Sequence, residues 1–182
     1  RHLTQPLARV GTPLPDGAGA MHGGTIPGFN EAFIIDEATK HALIKQDPKS
    51  AEILKPALRG RDIDRWTYRN AGLWLIFIPS GWTDQTRGGR DPKKFIRSKY
   101  PAVYKHLKMM GDTTPLKKQQ KGLYERSSQG DYWWELRPCA YCDDFHKNKI
   151  VFPDIAQTSQ FTIDTKGYFP IVSAFSIICL LY

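Results

Sequence analysis

Three guanidiniums fall within seven residues at Arg59, Arg61 and Arg65, inside the stretch Ile53-Leu54-Lys55-Pro56-Ala57-Leu58-Arg59-Gly60-Arg61-Asp62-Ile63-Asp64-Arg65-Trp66. Arginine stays charged and forks bidentately onto phosphates, carboxylates and base edges, so the cluster suits nucleic acid. The competing reading is local, with Arg61 and Arg65 paired to Asp62 and Asp64 as a brace for the turn. Two further constellations could do chemistry. Pro153-Asp154 followed by Asp164-Thr165-Lys166 matches the pattern in which two carboxylates hold Mg²⁺ and a lysine assists the attacking water of a nuclease. Cys139 and Cys142 with His146, and Asp143 or Asp144 as a fourth donor, could ligate a metal, although tetrahedral zinc generally needs a second close pair of ligands. The alternative is two ordinary cysteines. Tyr132, Trp133 and Trp134, beside Arg126 and Arg137, could stack on bases or a sugar-phosphate edge.

The charge around these groups is unevenly placed. Of 182 residues, 26 are Lys or Arg and 18 are Asp or Glu, a formal net charge of +8. Between Arg87 and Arg126 twelve basic residues face Asp91, Asp112 and Glu125, a surplus of nine, while the remainder holds fourteen basic against fifteen acidic residues. The excess therefore sits in one contiguous segment, as a duplex-DNA partner would require. A solvated loop kept soluble by lysines is the bland alternative. With 41% hydrophobic residues the chain can bury one core without disulfide staples, so a single domain is expected. Three cysteines, at 139, 142 and 179, argue against a disulfide framework and for a reducing cytoplasm. No signal peptide is visible, and the apolar run from Ile171 to Tyr182 is too short to span a bilayer. Its abrupt end suggests a C-terminally truncated fragment of a larger protein.

Several elements must position these groups. Residues 1–27, rich in Gly and Pro, read as a loop-rich lead-in to the domain over 28–182. Ala32-Phe33-Ile34-Ile35 predicts a short buried strand, closed by Asp36 as N-cap of a helix over 37–46. Asp47-Pro48 opens a second helix that ends near Pro56, and Gly60 supplies the freedom in φ that lets Arg59 and Arg61 diverge. The run from Leu73 to Ile78 predicts a central strand. Tyr100, Val103, Tyr104, Leu107 and Met110 follow helical spacing behind Pro101, leaving Lys105 and Lys108 on the opposite face. Asp112 to Gln129 reads as an exposed loop. Tyr132 to Leu136, Lys149 to Phe152 and Gln160 to Asp164 read as strands, the last two as a hairpin arm, and alternation makes at least one of Trp133 and Trp134 core. The sum is an α+β fold, a twisted and mainly antiparallel sheet with a few packed helices.

Leu58-Arg59-Gly60-Arg61-Asp62-Ile63 through Trp66, the earlier Gly28-Phe29-Asn30-Glu31-Ala32-Phe33-Ile34-Ile35-Asp36 and the later Lys149-Ile150-Val151-Phe152-Pro153-Asp154-Ile155 resemble the TaqI-type C-terminal specificity domain. Gly11-Thr12-Pro13-Leu14, Tyr132 to Leu136 and Gly167-Tyr168-Phe169-Pro170 also fit, in order, so the resemblance covers nearly the whole chain. That family is the target-recognition module of bacterial DNA adenine-N6 methyltransferases, including single-chain (type IIG) restriction-modification enzymes. The resemblance implies a double-stranded DNA partner, a methyltransferase domain in the same parent chain and S-adenosylmethionine as that parent's cofactor. Neither a cofactor-holding Gly-rich strand turn nor an Asn/Asp-Pro-Pro-aromatic loop occurs here, so catalysis and cofactor are expected elsewhere in the parent. Expected phosphate contacts are Lys105, Lys108, Lys117, Lys118, Lys121, Arg126 and other basic residues of 87–126. Arg59, Arg61, Arg65, Gln119, Gln120, Tyr124 and Ser128 are the candidates to reach the DNA from loops, several of them at base edges. The competing functions are the Mg²⁺ nuclease using Asp154, Asp164 and Lys166, and an RNA or single-strand binding domain.

Overall fold

Among the described residues, short and mostly part-buried or buried strands form two four-stranded sheets. The structure, a computed structural model, describes residues 20–115 and 121–178. In the first sheet β1 (Met21–Gly23), β10 (Ala174–Ile178), β7 (Lys149–Pro153) and β8 (Thr162–Asp164) lie in that order, each pair antiparallel. In the second, β2 (Ile34–Asp36), β6 (Leu73–Ile76), β3 (Leu54–Arg59) and β9 (Phe169–Ile171) lie in that order. Only the β3–β9 pairing there is parallel. A hairpin of β4 (Ile63–Asp64) and β5 (Thr67–Tyr68) forms its own two-stranded ladder and packs against β7 and β8. Among the described residues five α-helices complete an α+β fold: α1 (Asn30–Phe33), α2 (Glu37–Gln46), α3 (Trp82–Thr86), α4 (Pro92–Lys99) and α5 (Pro101–Thr113). Among the described residues no helix is long and apolar enough to cross a membrane.

Local chemistry explains where the chain follows the expected pattern. Asp36 caps α2 by accepting from the Thr39 N–H at 2.8 Å, and Leu73–Ile76 is an inner strand flanked by β2 and β3. The hairpin arm is present, with Lys149 opposite Asp164 and Val151 opposite Thr162. Phe29, Phe33, Leu75, Ile76, Ile78, Leu107 and Phe169 form the main core, and Leu58, Ile63, Val151, Tyr168 and Ala174 form a smaller one.

Other expectations are overturned. Asn30–Phe33 is a helical turn and only Ile34 onward is extended. The segment after Pro48 is a 3-10 helix, Pro48–Ile53, and Pro56 lies inside β3 opposite Trp74 instead of limiting a helix. Its missing N–H is tolerated because Pro56 stands at the end of the β3–β6 ladder. Tyr132 to Leu136 is a turn, joined to the rest by the Gln129–Leu136 bridge. The buried Glu135 carboxylate bends it by accepting from the N–H groups of Gly81, Thr83 and Asp131 at 3.1, 2.9 and 3.0 Å. Gly60 does not use a left-handed φ. It is glycine because a Cβ there would collide with the Ser173 carbonyl oxygen. Among the described residues the left-handed non-glycine residues are Trp66 at φ 64° and Val172 at φ 57°, each a strain of about 1 to 2 kcal/mol.

Candidate nucleic-acid interface

Helices α4 and α5 concentrate the positive charge. Asp91 caps α4 by accepting from the Lys94 N–H, and Pro92 and Pro101 open the two helices. Phe95, Ile96, Val103 and Leu107 are buried, which turns Lys93, Lys94, Arg97, Lys105 and Lys108 outward. Between the helices runs a groove of about 560 Å³ walled by Lys93, Arg97, Lys105 and Lys108, with Tyr104 and Met109 on its apolar side. The ion pairs that touch α4 and α5 among the described residues are Lys99–Glu52 and Lys108–Asp112. Four cations thus face a single carboxylate, Asp112, in that groove. The Tyr124 hydroxyl donates to Asp112 at 2.6 Å, and its ring meets Trp133 edge-on with centroids 5.0 Å apart. Burial and the Asp112 carboxylate push that hydroxyl's pKa up to about 12. Asp112 therefore gathers two expected contacts, Lys108 and Tyr124, at one end of the groove. Lys93 and Arg97 were counted in the basic segment but not singled out. Their signal was Asp91-Pro92 followed by Phe95 and Ile96, a capped helix start with an apolar face.

The arginine-rich turn divides differently from either simple reading. Arg59 is the brace: its Nε and Nη2 donate to the two Asp62 carboxylate oxygens at 2.7 and 2.9 Å. Neither Arg61 nor Arg65 forms the expected pair, since Asp62 is taken by Arg59 and Asp64 accepts from the Arg65 backbone N–H. Arg61 and Arg65 are exposed, and Arg69 joins them by donating to the Arg61 carbonyl.

Arg126 is placed inside the fold. The residue is 2% exposed, and its guanidinium donates to the carbonyls of Pro27, Leu123, Trp133 and Glu135 at 2.9, 2.8, 2.5 and 2.6 Å. Burial pulls its pKa down to about 10, which leaves it charged at neutral pH. It positions the 123–135 loop and is not displayed at a surface. Trp134 is core, its indole N–H donating to Thr83 Oγ1 at 3.0 Å, while Trp133 is partly buried. Lys121 is exposed and Ser128 half-buried. Lys117, Lys118, Gln119 and Gln120 lie outside the described residues.

The two metal readings fail on geometry. Asp154 follows the end of β7 that is remote from Asp164, because Lys149 is the residue opposite Asp164. Five residues of strand put roughly 17 Å between the two acids, too far to share an ion. Asp164 is fully buried, paired with Lys149 Nζ at 2.6 Å, and accepts from the Lys166 and Tyr168 N–H groups. Asp154, Asp164 and Lys166 thus form no nuclease site. Cys139 and Cys142 are joined as a disulfide, with Cα atoms 5.6 Å apart, which corrects the expectation of two ordinary cysteines and uses the sulfurs a metal would need. Among the described residues no three His, Cys, Asp or Glu side chains gather into a metal-binding group.

No protein-family profile matches the chain, and no curated protein matches it. Among solved structures the chain is similar to the type IIL restriction-modification enzyme MmeI in complex with DNA, at 13% identity and a TM-score of 0.48. The match covers 90% of this chain and 21% of that one, so the chain spans about a fifth of that enzyme's length. A likeness of this degree assigns no role to any residue.

Proposed function

We propose that the chain is a duplex-DNA-binding module, the target-recognition part of a larger bacterial restriction-modification enzyme of the cytoplasm. The observation that carries the reading is the α4–α5 groove, where four exposed cations face one carboxylate. Cations held on two buried-backed helices neutralise phosphates without reordering the chain, and release of condensed counterions then drives binding. In this reading Lys93, Arg97, Lys105 and Lys108 set the register on the backbone, and Arg61 and Arg65 approach base edges. Lys117, Lys118, Gln119, Gln120 and Lys121 extend the same basic segment. The adenine-N6 methyl transfer, its S-adenosylmethionine and the companion methyltransferase domain belong to the parent enzyme.

The test is the salt dependence of binding to a labelled random-sequence duplex. Each neutralised phosphate contributes a log-log slope of about 0.9, so replacing Lys93, Arg97 and Lys105 together with Ala flattens the slope by roughly 2 to 3 units. The thermal midpoint should hold, because all three side chains are exposed. An unchanged slope refutes the groove as the phosphate contact, and tighter binding to single strands would replace the duplex reading.

A further inference from the structure

Trp66 is held at the tip of the β4–β5 hairpin in a way that packing alone does not explain. The two-residue turn Arg65-Trp66 joins Asp64 to Thr67, and Trp66 takes a left-handed φ of 64°. Glycine or asparagine adopts that conformation readily, whereas a bulky aromatic residue does so at a strain. The strain is enforced from a neighbouring segment: the Trp66 backbone N–H donates to the Phe161 carbonyl at 3.0 Å. Despite this fixing, Trp66 is 62% exposed, so the ring is pushed out toward solvent and is not buried as an anchor. Strain that displays a side chain, when an easier residue would serve the turn, marks a site where the side chain itself is used.

The surroundings indicate its use. Phe161 stands perpendicular to the indole with centroids 4.7 Å apart, and together with Ile150 and Ile163 the two rings line a hollow of about 400 Å³. Ile163 is 66% exposed, so the hollow is open on the solvent side. The Arg65 guanidinium lies 5.7 Å from the Trp66 ring, and Arg61 and Arg69 are exposed at the base of the hairpin, on either side of its two strands. The exposed carboxylate nearby, Asp64, is engaged by the Arg65 backbone. On a chain read as binding DNA, an exposed indole with the Arg65 guanidinium beside it is an arrangement that stacks a nucleobase while the cation holds its phosphate. Resting on the duplex-DNA reading above, we propose that Trp66 is a base-stacking residue that takes a nucleobase unpaired from an opened duplex, with Phe161 as its support.

The experiment compares a labelled perfect duplex with the same duplex carrying one bulged adenine. Stacking by one aromatic ring corresponds to about a 5- to 100-fold preference for the bulged duplex. Trp66→Asn suits the left-handed turn, so it keeps the thermal midpoint while bringing the two affinities to parity; Trp66→Phe retains part of the preference. The salt slope on the perfect duplex stays as in the unsubstituted chain, because the α4–α5 cations are untouched. Equal affinity of the unsubstituted chain for both duplexes overturns the stacking role and leaves the duplex reading standing. So does an unchanged preference in Trp66→Asn, which would give the patch to a protein partner. A lower midpoint with a preference unchanged per folded molecule makes Trp66 a packing residue and has the same force. Absence of binding to either duplex overturns the wider reading and this inference with it.

Discussion

Replacing Arg126 with Met separates a basic residue that holds the fold from one that holds DNA. Methionine matches the apolar stem out to about the Nε position but removes five donors, leaving the carbonyls of Pro27, Leu123, Trp133 and Glu135 without the partner they share. The Phe33 ring also loses the cation 4.6 Å above its centre. A hydrogen bond from a charged group is worth about 1.5 to 3 kcal/mol, but four of them do not add, because the substitution also relieves the desolvation of a buried charge. The net loss is about 3 to 5 kcal/mol, a large share of the roughly 5 to 15 kcal/mol that stabilises a domain. For a chain of this size that lowers the thermal midpoint by about 6 to 20 °C. Circular dichroism during heating reads the midpoint, and duplex titration well below both midpoints reads the salt slope. The slope should match that of the unsubstituted chain. Arg126→Lys should recover only part of the stability, since one ammonium cannot span four diverging carbonyls. An Arg126→Met chain with a normal midpoint and a flattened slope would refute the reasoning and return Arg126 to the phosphate contacts.

Two further perturbations probe buried charge. Lys149→Met leaves the fully buried Asp164 carboxylate without its cation and should cost about 3 to 5 kcal/mol in urea unfolding, and a loss under 1 kcal/mol would show that the pair contributes little. Burial pulls the Lys149 ammonium's pKa down, and the Asp164 hydrogen bond and charge oppose that shift. The His106 ring, whose Nε2 N–H donates to the Ala32 carbonyl at 3.1 Å, has its pKa lowered by burial. As pH falls below about 6.5 the unfolded chain takes this proton before the folded one does, so stability present at neutral pH is lost on acidification. His106→Gln should flatten the fall in urea-unfolding free energy between about pH 7 and 5, and an unaltered slope would remove His106 from the account.

The features legible in the sequence were those that depend on neighbours in the chain. The Asp36 cap, the helix behind Pro101 and the β7–β8 arm each follow from residues within a few positions, and all three are present. The basic surplus of 87–126 was also legible, because charge is a count and needs no geometry. Which of those charges faces outward was not. Arg126 reads like any other arginine in a polar loop until its partners are known, and one of them, Pro27, lies 99 positions away. Asp164 fitted a catalytic pattern for the same reason, since the lysine that neutralises it is Lys149, fifteen positions before it on the facing strand, and not Lys166 beside it. Pro56 misled in the opposite direction, because proline bars a helix interior but stands at the end of the ladder in β3. A local pattern therefore fixes what a side chain could do, and the strand register decides what it is left free to do. For this chain loop carbonyls bury one arginine, the strand register neutralises one aspartate, and Trp66 is left outside with its ring facing solvent beside Arg65.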